Sequence, residues 1–193
     1  MSSILSNAGL ATLEPLAGSS LAKKALLVVS GSLFLAALSQ VSVGEPVPQT
    51  LQTLGVMLIG LTFGFRLATA TLLLYILEGA LGLPVFAGFS GGIAKIIGGT
   101  GGYLVGFVLA AALIGYLADA KFTRSWAGTI AALFAGEVII FGLGVAWLTY
   151  LYGFDKAVEW GFTPFVLWDA LKLALAAVLG KGVLKGAERF TSL

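Results

Sequence analysis

Residues 126–152 read Trp-Ala-Gly-Thr-Ile-Ala-Ala-Leu-Phe-Ala-Gly-Glu-Val-Ile-Ile-Phe-Gly-Leu-Gly-Val-Ala-Trp-Leu-Thr-Tyr-Leu-Tyr, and Glu137 is the only carboxylate or ammonium group among them. A helix rises about 1.5 Å per residue, so crossing a hydrocarbon layer of about 30 Å takes about 20 apolar residues. This stretch exceeds that length and can tilt or project beyond the layer. The surrounding composition agrees. Of 193 residues, 59% are hydrophobic and 10% charged, with a mean hydropathy of +1.03. A water-soluble domain carries roughly a quarter charged residues and cannot hide so much apolar surface in a single core. The sequence also contains no His and no Cys, which excludes imidazole and thiolate metal sites, Cys nucleophiles, His bases and disulfides. A net charge of +2 provides no basic face for nucleic acid.

Reading outward with the same ruler predicts an all-α integral membrane protein with six transmembrane helices. The expected spans are about Ala25 to Val43, Val47 to Gly64, Leu67 to Leu83, Gly101 to Ala118, Trp126 to Tyr152 and Phe165 to Leu184. The second is short and opens with Pro46, Pro48, Thr50 and Gln52; the third stops at Pro84 and the sixth follows Pro164. The domain reading is a short cytoplasmic N-terminal tail over 1–22, then one transmembrane domain over 23–193 with a Gly-rich outer loop at about 85–99.

Six spans put both termini on one side. That side holds eight basic residues (Lys23, Lys24, Arg66, Lys121, Arg124, Lys181, Lys185 and Arg189) against two, Lys95 and Lys156, on the other. Cytoplasmic loops carry the Lys/Arg excess, so both termini are expected to be cytoplasmic. Tyr116 and Trp126 then fall at the inner interface, and Trp147, Tyr150, Tyr152, Trp160 and Trp168 at the outer one. Lys23 and Lys24 before an apolar run, with Ala37-Leu38-Ser39 after it, also imitate a secretory signal, but the polar lead-in is long for that role. The run Gly98-Gly99-Thr100-Gly101-Gly102 lacks the Gly-Lys-Ser/Thr ending of a phosphate loop and reads instead as a turn that lets the fourth helix pack closely. Any ATP chemistry must come from partner chains.

Four ionisable residues fall within spans: Glu78, Glu137, Asp169 and Lys172. Each costs at least about 2.5–3.5 kcal/mol at mid-depth if unpaired, so each needs a partner, a proton or a function. Asp169 and Lys172 share a helix face, about 7 and about 12 Å below the outer end, with Glu78 about 9 Å below the same surface. That common depth suggests a pocket opening outward. Spacing alone leaves two readings of Asp169 and Lys172 open, an intrahelical ion pair that only packs, or a pair that recognises a polar solute. On the first span, Ser32 and Ala36 stand at small-xxx-small spacing and offer a face for another helix, inside the bundle or outside it.

Several strings together carry a resemblance. They are Pro46-Val47-Pro48-Gln49-Thr50-Leu51-Gln52-Thr53-Leu54-Gly55, the long run from Leu73 through Tyr75, Glu78 and Pro84 to Phe86 and Gly88, Gly99-Thr100-Gly101-Gly102-Tyr103-Leu104-Val105-Gly106-Phe107, and Asp169-x-x-Lys172. The chain resembles the BioY family, the biotin-specific S components of energy-coupling factor (ECF) vitamin transporters, from the first span to the end of the sixth. The resemblance implies an S-component-like bundle in the bacterial cytoplasmic membrane. It also implies capture of biotin near the outer surface, and partnership with a transmembrane T subunit and two ATPase subunits. No cofactor is expected; biotin is cargo. A homo-oligomer is compatible with the family, and nucleic acid is not a partner.

Within that family the Asp and Lys of the last helix handle biotin, which maps to Asp169 and Lys172, and the small-residue face of the first helix contacts the T subunit, which maps to Ser32 and Ala36. Ser32 stands where the family has Ala. Biotin's chemistry fits the remaining candidates: Asp169 or Glu78 to accept ureido N–H groups, Lys172 for the valerate carboxylate, and Gln52, Thr50 or Ser90 for neutral hydrogen bonds. Tyr75, Phe86 and Trp168 are expected walls for the bicycle, with residues 88–92 as a lid. The order of the two ends can be reversed. The competing readings are a self-sufficient secondary transporter or channel coupled through Glu137, and an intramembrane enzyme. No inverted repeat supports the first, and no Ser–Lys dyad or paired catalytic carboxylates support the second. Reporter fusions to the C-terminus are expected to report the cytoplasm; an external C-terminus would contradict the charge reading.

Overall fold

Helices form along the apolar stretches, and Gly64, Gly98 and Gly153 each end one of them. The computed structural model describes residues 11–18 and 20–191. A single turn, α1 (Glu14–Ala17), precedes α2 (Leu21–Gln40). A two-stranded antiparallel hairpin follows, β1 (Ser42–Val43) and β2 (Gln49–Thr50), with Ser42 opposite Thr50 and Val43 opposite Gln49. Then come α3 (Gln52–Phe63), α4 (Phe65–Ala80), α5 (Ile93–Ile97) and α6 (Gly101–Asp119). A 3₁₀ turn (Phe122–Arg124) leads into α7 (Trp126–Tyr152), and α8 (Phe154–Gly161) and α9 (Val166–Thr191) complete the chain.

α7 matches the expected fifth span residue for residue, while other boundaries move for identifiable reasons. α2 begins at Leu21, within the stretch read as a tail, because Ser20 Oγ accepts the Lys23 N–H at 3.4 Å and caps the helix. Part of that stretch is docked: the Leu13 N–H donates to Thr62 O at 2.6 Å, and the Thr12 hydroxyl to Asp119 Oδ1 at 3.1 Å. Residues 1–10 lie outside the described residues. The second span, expected from Val47, becomes helical only at Gln52. Pro46 and Pro48 lack the N–H a helix needs, so this segment runs extended as the hairpin, and Thr50 Oγ1 accepts the Gln52 N–H at 3.1 Å as the helix starts. Between the fifth and sixth spans, where no element was expected, lies the short amphipathic α8.

Three helices, α2, α6 and α7, are long and apolar enough to cross a membrane, and α8 with α9, bent by 49°, together pass as a fourth. Their outward faces are apolar, with Leu26, Leu33, Phe134, Val138 and Leu171 all well exposed, as expected where lipid is the solvent. α3 is different. Its 12 residues make a helix of about 18 Å, and nearly every side chain is buried. Gly55 lets α2 approach through Leu35 and Leu38, and Gly60 lets Ile114 of α6 approach. α6 packs along α7 and also touches α3 and α4, while α9 lies on α3 and α2 on α4. The hairpin, the start of α3, α5 and the first turns of α6 and α9 gather at one end of this bundle.

The α6–α7 seam is testable through two glycines. A Cβ on Gly106 would sit 2.9 Å from Ile140 Cα, which is backbone and cannot swing aside, whereas one on Gly142 meets nothing within 4 Å. Gly106→Ala is expected to lower the thermal midpoint in detergent, an overpacking cost of about 1–3 kcal/mol. Gly142→Ala is expected to leave it unchanged or raise it, since Ala favours helix. Equal effects of the two would contradict the packing.

Candidate functional site

The centre of the site is a buried ammonium. Lys172 is 7% exposed, and its three N–H donors are all used: by Thr50 O at 2.8 Å, Asp169 Oδ1 at 3.0 Å and Thr53 Oγ1 at 3.1 Å. Asp169 Oδ1 also accepts from the Thr53 hydroxyl, so hairpin, α3 and α9 meet at one point. Asp169 Oδ2 is buried and has no hydrogen-bond partner. The ion pair and its acceptors therefore consume every donor and leave one acceptor open. Such an oxygen is costly to leave unsatisfied.

Next to this cluster lies a cavity of about 260 Å³. Its polar lining includes Thr50, Gln52, Thr53 and Lys172. Its apolar lining includes Tyr103, Phe107, Ile140, Phe141 and Phe165. Three of these rings form a box: Tyr103 stacks on Phe165 at 6.3 Å, and Phe141 meets Phe165 and Tyr103 edge-on at 5.9 and 6.4 Å. The Tyr103 hydroxyl donates to Gly161 O at 2.6 Å, and Gly144 and Gly161 leave the room its ring occupies. Phe86, Ala87 and Ser90 close another side. Lys95 lines the cavity from the exposed helix α5, and its ammonium makes no hydrogen bond or ion pair among the described residues.

Of the residues read from the sequence, Thr50, Gln52, Phe86, Ser90 and Lys172 line this cavity, and Asp169 stands directly behind Lys172. Three others lie elsewhere. Tyr75 is fully buried behind Phe86, 5.5 Å away edge-on, where its hydroxyl accepts from Gln52 Nε2 and donates to Val85 O, both at 2.8 Å. Trp168 is 56% exposed, because on α9 it is turned about 100° from Asp169, away from the face shared by Phe165, Asp169 and Lys172. Phe165 holds the place expected for Trp168. Glu78 accepts the Ser32 hydroxyl across the α2–α4 seam and is not part of the cavity wall. Ser32 is accordingly buried, and Ala36 is half-buried against the core. Glu137 is buried below Ile140 and Phe141 with neither carboxylate oxygen partnered.

Sequence reading missed Thr53, Lys95, Tyr103, Phe107, Phe141 and Phe165. Phe165 carried a usable signal, four residues before Asp169 on the same helical face. The rings on α6 and α7 carried none, since apolar residues line those helices all round.

By fold and site this is a membrane-embedded solute-binding protein: an apolar helical bundle with a mixed aromatic and charged cavity near one end. The chain belongs to the BioY family, whose model matches residues 8–189. It is 45% identical over 135 residues to "Biotin transporter BioY" of Thermotoga maritima, covering 69% of this chain and 79% of that one. It is 34% identical over 163 residues to "Biotin transporter BioY2" of Lactococcus lactis subsp. cremoris, covering 82% and 88%. Its fold is similar to the 2.1 Å crystal structure of the S-component for biotin from an ECF-type ABC transporter, with a TM-score of 0.74 and 25% identity over 87% of this chain and 94% of that one.

The buried pair makes its own prediction. Asp169→Asn or Lys172→Met alone leaves an uncompensated buried charge and is expected to cost about 3–5 kcal/mol of stability. The double variant is expected to recover most of that loss in thermal unfolding. Strictly additive losses would contradict a coupled pair.

Proposed function

We propose that this chain is the biotin-binding S component of an ECF-type uptake transporter, capturing biotin from outside the cytoplasmic membrane for import driven by a T subunit and two ATPase subunits. The observation that carries the reading is the open acceptor Asp169 Oδ2 behind a fully engaged Lys172, at the polar wall of an aromatic-boxed cavity. Biotin supplies what this arrangement lacks, two ureido N–H donors on a compact apolar bicycle. The family membership and the named relatives support the same substrate. Those relatives are named transporters and not enzymes.

In this reading the bicycle sits between Tyr103, Phe141 and Phe165, with its ureido ring towards Asp169, Thr50 and Gln52. The valerate then points to the cavity mouth, where Lys95 offers a free ammonium that Lys172 no longer has. The ureido ring stays with Asp169 as expected from the sequence, and Lys95 takes the carboxylate that the sequence reading gave to Lys172. Six membrane-crossing units, with α3, α4 and the bent α8–α9 pair completing those of α2, α6 and α7, put both termini in the cytoplasm and the cavity on the outer side; the Lys/Arg asymmetry and the aromatic ends of α7 and α8 support this. Ser32 is occupied in the α2–α4 seam. A T-subunit contact on α2 therefore rests on Ala36 and its more exposed neighbours Leu33 and Ala37.

Purified protein without nucleotide is expected to bind labelled biotin at micromolar concentration or below, and pantothenate and riboflavin are not expected to compete. No binding by folded protein would overturn the substrate. The Asp169→Asn, Lys172→Met double variant is expected to fold and lose roughly tenfold or more in affinity, the loss of at least one charge-assisted hydrogen bond. Lys95→Met is expected to weaken biotin but not its valerate amide, whereas Lys172→Met weakens both. Sensitivity of the amide to Lys95→Met but not to Lys172→Met would reverse the orientation.

A further inference from the structure

The segment that closes one side of the cavity is gripped at two backbone points by one side chain on a different helix. Gln40, the last residue of α2, uses both ends of its amide: Nε2 donates to Phe86 O at 3.2 Å as well as to Ser39 Oγ at 2.7 Å and Ala36 O at 3.0 Å on its own helix, and Oε1 accepts the Phe89 N–H at 2.8 Å. Phe86 and Ser90 pair as an isolated antiparallel bridge, so these two bonds grip the base and the tip of the turn between them. Phe89 at the tip has φ of 53°, the left-handed region that an aromatic residue rarely occupies without outside support. Its side chain is 72% exposed, so packing does not provide that support. The neighbouring Ser39 hydroxyl donates to Val85 O at 2.7 Å, the same carbonyl that takes the Tyr75 hydroxyl. Tyr75 leads through Gln52 and Thr50 to Lys172, so the end of α2 is joined to the polar wall by hydrogen bonds throughout.

From this geometry we infer that Gln40 is a positioning residue for ligand exchange: it latches residues 86–90 over the cavity and so sets how fast ligand enters and leaves. Gln40 is absent from the cavity lining and acts through Phe86, Ala87 and Ser90, which are in it. A latch of this kind differs from a ligand contact in its kinetic signature. Losing a contact speeds release alone. Losing a latch speeds entry and release together and leaves their ratio, the affinity, little changed.

The inference rests on the biotin reading, so the test is the kinetics of labelled biotin binding to the full chain in detergent. Gln40→Met, close in length but without the amide, is expected to raise both association and dissociation rates by about tenfold, the effect of losing its two hydrogen bonds to residues 86–90. Gln40→Glu keeps the acceptor for the Phe89 N–H and loses the donor to Phe86 O, so it is expected to fall between. Adding Phe89→Asn to Gln40→Met is expected to slow both rates again, because Asn adopts the left-handed conformation more readily. Faster release with unchanged association, unchanged rates in both Gln40 variants, or no slowing by Phe89→Asn overturns the latch while leaving the biotin reading intact. Should Gln40→Met fail to fold, Gln40→Glu decides on the same criterion. An unaltered protein that binds no biotin overturns the reading and the latch together.

Discussion

A lysine ammonium in an apolar bundle must find an acceptor for each of its donors, and Lys172 finds three from three parts of the chain. Thr50 O belongs to the hairpin, Thr53 Oγ1 to α3 and Asp169 Oδ1 to α9 itself. Taking such a charge out of water costs several kcal/mol, which only well-placed acceptors offset. The first turn of α3 is therefore tied to α9, and the extended segment before it is drawn into the bundle. Pro46 and Pro48 keep that segment out of a helix, so its carbonyls are free to face inward. The short α3 follows from the same constraint: its N-terminus is fixed at the ammonium and its C-terminus at Gly64, where φ of 80° turns the chain into α4.

Around this point, close helix contacts create the enclosure and aromatic rings fill its walls. Gly102 and Gly106 bring α6 against the backbone of α7, and Gly144 and Gly161 give the Tyr103 ring its place beside Phe165. The cavity consequently has two chemistries in separate places, an aromatic box and a hydrogen-bonding wall of Thr50, Gln52, Thr53 and Lys172, with the unpartnered Asp169 Oδ2 buried behind Lys172. That division suits a solute with a compact apolar body and a few N–H donors, and it is poorly suited to an ion or a fully polar molecule.

Much of this was legible in the residues. The apolar run of α7 gave its boundaries without error, because no Pro interrupts it and its four glycines stay within the helix. Asp169 and Lys172 stood out because charges inside spans are rare enough to demand a reason. The α3 start was misplaced because hydropathy cannot see that Pro46 and Pro48 withhold helix donors, and α8 was missed because eight residues of mixed polarity look like a loop. Trp168 and Phe165 were exchanged as cavity wall since an interfacial Trp and a site aromatic look alike until the helical face is fixed by Asp169 and Lys172. Glu78 shared only a depth with the site; its partner Ser32 lies 46 residues away in sequence, a pairing no local pattern encodes.

The central claim is that the open oxygen of Asp169, beside the engaged Lys172, receives the solute's N–H donors within the aromatic box. A structure of the protein with biotin bound tests it most directly. The expected result is a bicycle enclosed by Tyr103, Phe141 and Phe165, a ureido N–H on Asp169 Oδ2 and the valerate towards Lys95. Biotin bound outside the box, or with Asp169 Oδ2 still unpartnered, would contradict it.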